Sequence, residues 1–205
     1  MTDPHRPDES SAGDPSANRP PVEPPLPRWA QRPLPGSDAL SEERLAAYVG
    51  PKWEGTYRRK LAVFLEDPTF VPTWNWSAAL ASPAWFLYRK LYLPFFIFFL
   101  LPGAAFRWLT GSDQPITLES MSRPENAWLQ TMGMAVYVSS ALAAGGSANW
   151  FLFRRARAAH RFASAHGGPA DEALALMARM GGVNRLATAL FIAMSMVLTL
   201  AQLGG

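Results

Sequence analysis

The stretch Asn126–Phe153, NAWLQTMGMAVYVSSALAAGGSANWFLF, contains no charged residue. An α-helix rises about 1.5 Å per residue, and about 20 apolar residues cross the roughly 30 Å hydrocarbon layer of a bilayer. The stretch exceeds that requirement, and a soluble helix of the same length would carry charges along its solvent face. It is read as a membrane span over about 127–153. A first span precedes it at about 91–109 (LYLPFFIFFLLPGAAFRWL), whose uncharged heart Leu91–Phe106 is slightly short, so that Arg107 is expected to snorkel outward. Pro94 and Pro102 sit near its ends and bend it. A third uncharged run covers 186–203. The expected fold class is therefore an all-α integral membrane protein with three transmembrane helices and a membrane domain over 91–205.

The remainder of the 205 residues differs from this body. The segment 1–36 holds ten prolines, charges of both signs and almost nothing large and apolar, so it cannot bury enough surface to offset the entropy of ordering. It is expected to be a disordered Pro-rich tail, either a solvated linker or a polyproline docking peptide. It lacks the apolar core of a signal peptide, and insertion is expected to rest on the internal apolar segments. The chain has no cysteine, which excludes thiolate nucleophiles, disulfides and sulfur metal sites.

The segment 37–90 reads as amphipathic and interfacial helices. Ser37 or Asp38 can cap a helix through Leu40, Leu45 and Tyr48, interrupted at Gly50-Pro51. A second helix follows, with Trp53, Tyr57, Leu61, Phe64 and Leu65 on one face and Arg58, Arg59 and Lys60 on another; it suits either an anionic leaflet or a packing partner. Residues 68–88 are uncharged but rich in proline and tryptophan, and are read as interfacial or shallow re-entrant. Trp74, Trp76, Trp85, Tyr88 and Tyr92 belong at the headgroup level, where one end of each ring can hydrogen-bond. Arg89 and Lys90 are expected to pin the segment to the headgroups.

Basic residues are dense before the first span, sparse in the loop 107–125, and dense again after the second, at Arg154, Arg155, Arg157 and Arg161. The positive-inside rule then gives a cytoplasmic N-terminus and a C-terminus on the far, periplasmic side. Arg154, Arg155 and Arg157 are expected to meet anionic lipids. The region 154–185 reads as a basic loop containing a short helix opened by Asp171-Glu172.

Thr73-Trp74-Asn75-Trp76, followed by Pro83-Ala84-Trp85-Phe86-Leu87-Tyr88-Arg89-Lys90-Leu91-Tyr92, resembles the signature of a bacterial inner-membrane protein family of unknown function. Tyr48-Val49-Gly50-Pro51, Tyr57–Phe64, Asn149-Trp150-Phe151-Leu152 and Arg154-Arg155-Ala156-Arg157 are similar to the same pattern. Ser82 stands where that family has glycine and Leu91 where it has methionine. The resemblance covers about Tyr48–Gly182 and implies a multi-pass location in the bacterial cytoplasmic membrane, but no reaction.

Residues able to carry chemistry are few. His160 and His166, six apart, point about 120° from each other on a helix and cannot share one ion. No charged residue or histidine lies in spans two or three, where proton relays and redox ligands occur, and no nucleophile–base set or phosphate loop is present. Asn75 either meets a headgroup or caps a turn. No cofactor, metal, nucleic acid or catalytic activity is expected. Span two carries Ala135, Ser139, Ala143 and Ser147 at four-residue spacing, with Ser140, Ala144 and Ala148 alongside, which lets helix backbones approach closely. That face is expected to pack on span three, or else on another membrane protein or a second copy. The function expected is a non-catalytic scaffold or accessory subunit of a membrane complex; the alternative is a lipid-interacting, membrane-organising protein, and a membrane enzyme or transporter ranks below both.

Overall fold

Helix α1, Glu42–Val49, begins at Ser41, whose hydroxyl accepts a hydrogen bond from the Arg44 backbone N–H at 3.3 Å. Glu42 and Glu43 follow in the first turn, where carboxylates suit the helix dipole. The start thus falls three residues beyond the expected Asp38, which with the segment 1–36 lies outside the described residues. The computed structural model describes residues 39–111, 123–166 and 169–203, and every regular element among them is helical.

Gly50 ends α1 with a φ of 81°, a conformation open to glycine and costly for other residues. A short π-helical turn over Trp53–Tyr57 leads into α2, Arg58–Glu66. Trp53, Tyr57, Leu61 and Phe64 are all buried, so the spacing read from the sequence does form one inward stripe. Residues 67–75 run without regular structure to α3, Trp76–Tyr88, which contains Pro83. Helix α4, Tyr92–Thr110, follows after a sharp corner at Lys90, whose φ is 57°.

Helix α5 extends unbroken from Ala127 to His166, 40 residues or about 60 Å. The region after Phe153, expected as loop, is its continuation. The two halves of α5 differ. Before Ala144 it has no buried residue; beyond it, Ala144, Gly145, Ala148, Asn149, Leu152, Phe153, Ala156, Ala159, His160 and Ala163 are buried. The latter half joins α1, α2, α3 and α6 (Ala170–Met180) in one core, to which Leu45, Leu61, Phe64, Phe86 and Met177 contribute fully buried side chains. Each such burial stabilises by about 1.5–3 kcal/mol. Phe64 meets Trp150 and Phe153 at ring separations of 5.4 and 5.2 Å. The apolar run Trp150–Phe153, uncharged and so legible as membrane-buried, packs into this core.

Helix α7, Arg185–Leu203, completes the order. Among the described residues two helical runs are long and apolar enough to cross a membrane: α4, and Ala170–Ala201, whose apolar part is α7. Helix α5 is less apolar than these, because Gly, Ser, Thr and Asn dilute its hydrophobic residues. Phe86 stacks on Phe98 of α4 at 4.8 Å and meets Phe151 of α5 edge-on at 6.2 Å, so the N-terminal half of α4 lies beside the C-terminal end of the uncharged stretch of α5. The two helices therefore run antiparallel. Span three does not take span two as its main packing partner, contrary to expectation: α7 lies against α3, with Phe191 meeting Phe95 and Phe99 of α4.

Candidate functional site

Thr73 and Asn75, and further on Tyr88, Arg89 and Lys90, take part in two polar knots. The first is built on Asn75. Its backbone N–H donates to the Gly145 carbonyl at 2.9 Å, and its side-chain oxygen accepts from Ala78 N–H at 3.2 Å, capping α3. Its side-chain amide donates to Asn149 Oδ1 at 2.9 Å. Asn149 in turn donates to the Thr73 carbonyl at 3.2 Å and the Thr73 hydroxyl at 3.0 Å. Asn75 is 3% exposed and Asn149 fully buried. Asn75 thus acts as a helix cap, with its side-chain oxygen and one amide N–H bonded inside the chain. Two asparagines satisfy the backbone of an irregular segment against an apolar helix, the requirement any buried non-helical chain must meet. The approach is close: a Cβ on Gly145 would lie 2.9 Å from Ala79 Cβ and 3.0 Å from the Trp74 ring.

The second knot gathers three chain corners, at the end of α1, between α3 and α4, and between α6 and α7. The last carbonyls of a helix have no partner within it. Here the Tyr48 carbonyl accepts from Gly182 N–H at 3.1 Å and the Val49 carbonyl from the Arg89 guanidinium at 3.2 Å. Lys90 donates to the Gly181 carbonyl at 2.7 Å, and Asn184 N–H to the Tyr88 carbonyl at 2.8 Å. Asn184 also caps α7 by accepting from Ala187 N–H at 3.1 Å. Cations at the negative end of α1 suit its dipole. Arg89, 4% exposed, also lies over the Tyr57 ring, 4.6 Å from its centroid.

This geometry corrects the expectation that Arg89 and Lys90 pin the chain to headgroups. Arg89 is buried and Lys90 half-buried, because helix-end carbonyls and, for Arg89, an aromatic face lie within reach of their cations. Trp85 is likewise buried in the core, not set at an interface. Trp74 and Tyr88 are half-buried, while Trp76 is 65% exposed and Tyr92 is also exposed. Arg154 and Arg155 are exposed, and Arg157 is half-buried with its guanidinium 5.9 Å from the Phe153 ring centroid.

A third cluster is not legible in the sequence. Arg44 of α1 donates to His160 Nδ1 at 2.9 Å and to the Ser164 hydroxyl at 2.9 Å, tying α1 to the far half of α5. His160 accepts at Nδ1 and so carries its proton on Nε2. His166 sits on the exposed last turn, stacked on Phe162 at 4.3 Å. Only the unusual position of a histidine on an alanine-rich face hints at this tie. Asn149 and Asn184 are visible as lone amides, yet no local pattern names partners 74 or 92 residues distant.

On the outer half of α5 the two small-residue rows have separate fates. Ala144 and Ala148 of one row are buried. In the other, Ala135, Ser139 and Ala143 remain exposed, and the Ser147 hydroxyl bonds back to the Ala143 carbonyl at 2.6 Å. These three line a groove of about 410 Å³ whose opposite wall is Ile97, Leu101 and Ala105 of α4. No protein-family model, curated protein or solved structure matches the chain.

Proposed function

We propose that this protein is a non-catalytic membrane scaffold or accessory subunit, anchored by three spans, that holds a compact helical body at the cytoplasmic surface. The observation that carries the reading is the outward row Ala135, Ser139 and Ala143. A helix meeting only lipid gains nothing from small residues, because large aliphatic side chains suit hydrocarbon better; close backbone approach does need them. Ala144 and Ala148 of the neighbouring row are already buried, which supports a second use for the exposed one.

The membrane reading draws on the exposed apolar surface of α4 and α7. Leu93, Leu100, Leu101 and Trp108 on α4, and Leu190, Met194, Val197 and Leu200 on α7, all lie open. Patches of this extent are unstable in water and ordinary in lipid. Helix α5 is taken as the remaining span through its outer half, ending where its buried half begins. Gly145 lies about 13 Å along α5 from Arg154, and the chain enters α3 beside Gly145. That depth supports a shallow re-entrant path for 68–88, whose irregular backbone Asn149 satisfies as lipid could not. Exposed Trp76 and Leu80 on α3 face outward in keeping with it.

Two measurements test the reading. A reporter active only in the cytoplasm is expected to be silent when fused after Gly205 and active when fused after Arg161; activity after Gly205 removes the three-span topology. Purification in mild detergent is expected to yield a stoichiometric membrane partner or a defined homo-oligomer, lost when the small-residue row is enlarged by Ser139→Leu. A solitary monomer, with mass unchanged by Ser139→Leu, removes the scaffold reading.

A further inference from the structure

On α5 and α7 hydroxyls bond back to their own helix. Thr131 donates to the Ala127 carbonyl at 3.2 Å, Ser147 to Ala143 at 2.6 Å, Ser195 to Phe191 at 2.8 Å and Thr199 to Ser195 at 2.9 Å. Ser82 on α3 departs from this pattern: its Oγ is buried with no hydrogen-bond partner among the described residues. It lines a groove of about 420 Å³ where α3 meets α4 and the outer half of α5, separate from the one lined by Ala135 and Ser139. That size is within the range of ligand pockets, about 300–1,000 Å³. Phe98, Phe99 and Phe106 of α4 form one wall, and Tyr137 and Ser140 of α5 face it. Phe98 is held by stacking on Phe86 at 4.8 Å and Phe99 by stacking on Phe95 at 5.6 Å, so the aromatic wall is formed before anything enters. Among the described residues no charged side chain lines the groove.

Ser140 lies about 21 Å along α5 from Arg154, so on the membrane reading the groove sits within the roughly 30 Å hydrocarbon layer and not at its cytoplasmic edge. At that depth a charged headgroup is costly, and nothing in the groove would pair with one. The occupant is therefore neutral and dissolves in the interior of the bilayer, yet it carries an acceptor for the stranded Ser82 hydroxyl. Ester carbonyls of glycerolipids stay near the headgroups. A quinone meets every condition: its head is flat and uncharged, its carbonyls accept without donating, and its isoprenoid tail keeps it in hydrocarbon. We propose that this groove binds the head ring of a membrane quinone, with Ser82 donating to a ring carbonyl and the ring set against Phe98, Phe99 and Phe106. The hydroxyls of Ser140 and Tyr137 supply further donors on the opposite wall.

The test uses the full chain in uncharged detergent, titrated by calorimetry with three probes: a decyl-tailed benzoquinone, decylbenzene and dioctanoylglycerol. The quinone is expected to bind saturably, about tenfold or more tighter than decylbenzene, which keeps ring and tail but has no carbonyl. Dioctanoylglycerol, with carbonyls but no ring, is expected to bind no better than decylbenzene. Ser82→Ala is expected to weaken quinone binding about tenfold and to leave decylbenzene unaffected. Because that hydroxyl has no partner to strand, Ser82→Ala is also expected to keep or raise the melting temperature of the free chain, which separates lost binding from lost fold. Gly103→Leu fills the groove from α4, where an added Cβ meets nothing within 4 Å, and is expected to block the quinone with the fold intact. Ser195→Ala on α7 is expected to bind like the wild type. The proposal is overturned if the quinone binds no more tightly than decylbenzene, if dioctanoylglycerol matches it, or if Ser82→Ala or Gly103→Leu binds the quinone like the wild type. The site rests on the membrane reading above and not on the scaffold. The reporter fusions and the mass of the detergent complex are measured without quinone, so a failure of either reading is told apart from a failure of this site.

Discussion

Gly181→Ala is expected to destabilise the folded chain by about 3 kcal/mol or more, the cost of a backbone shift together with its lost hydrogen bonds. A Cβ at this position would overlap the Tyr48 carbonyl oxygen and lie 2.7 Å from its carbon. Those are backbone atoms at the end of α1, and no rotamer change can move them aside. Relief requires separating the α6–α7 corner from α1. The Gly182 to Tyr48 hydrogen bond at 3.1 Å and the Lys90 to Gly181 bond at 2.7 Å would go with it. Gly146→Ala is the matched control, because nothing lies within 4 Å of its added Cβ. In a helix interior that change is expected to be neutral or to stabilise by up to about 1 kcal/mol. Thermal melting of the two variants in one detergent checks the contrast, and equal midpoints would show that the corner is not closed as described.

Asn149→Leu ranks second, with an expected cost of about 2–4 kcal/mol. The substitution keeps the number and branching of the side-chain heavy atoms and adds apolar surface, so on hydrophobic grounds alone a membrane-facing helix would tolerate it. The loss comes from the groups left behind. The Asn75 side-chain amide and the Thr73 carbonyl would both be stranded in an apolar setting, since Asn149 is their partner. Because Asn75 also caps α3, Asn75→Ala is expected to be costly alone, while the double variant should cost less than the two single losses added. Strict additivity in denaturant or thermal melts would mean that the two asparagines act separately.

The segments Trp74–Trp76 and Tyr88–Tyr92 show how far local reading reaches. Helix boundaries were legible to within a few residues for α4, α6 and α7, because apolar runs and charged flanks mark them. The inward stripe of Trp53, Tyr57, Leu61 and Phe64 was legible from its period. The direction of Arg89 was not. Beside a hydrophobic run, an arginine and a lysine look like headgroup anchors, and the carbonyls that claim them belong to residues 40 and 91 positions away in the chain. The fate of Trp150–Phe153 was hidden for a related reason: an uncharged stretch looks the same whether lipid or a protein core covers it.

By itself, then, the sequence determined that the chain is helical, where apolar faces lie, and which segments are long and uncharged, since propensity, period and charge are local properties. Only the tertiary structure decided which of those faces meet one another. It extended α5 well past its uncharged part, placed α7 against α3, buried Ala144 and Ala148 of one small-residue row and left the other row open. It also turned Arg89 and Lys90 inward. Each of these outcomes depends on the carbonyls, amides and cavities that distant segments bring to one point, and a partner that distant leaves no trace in the spacing of neighbouring residues.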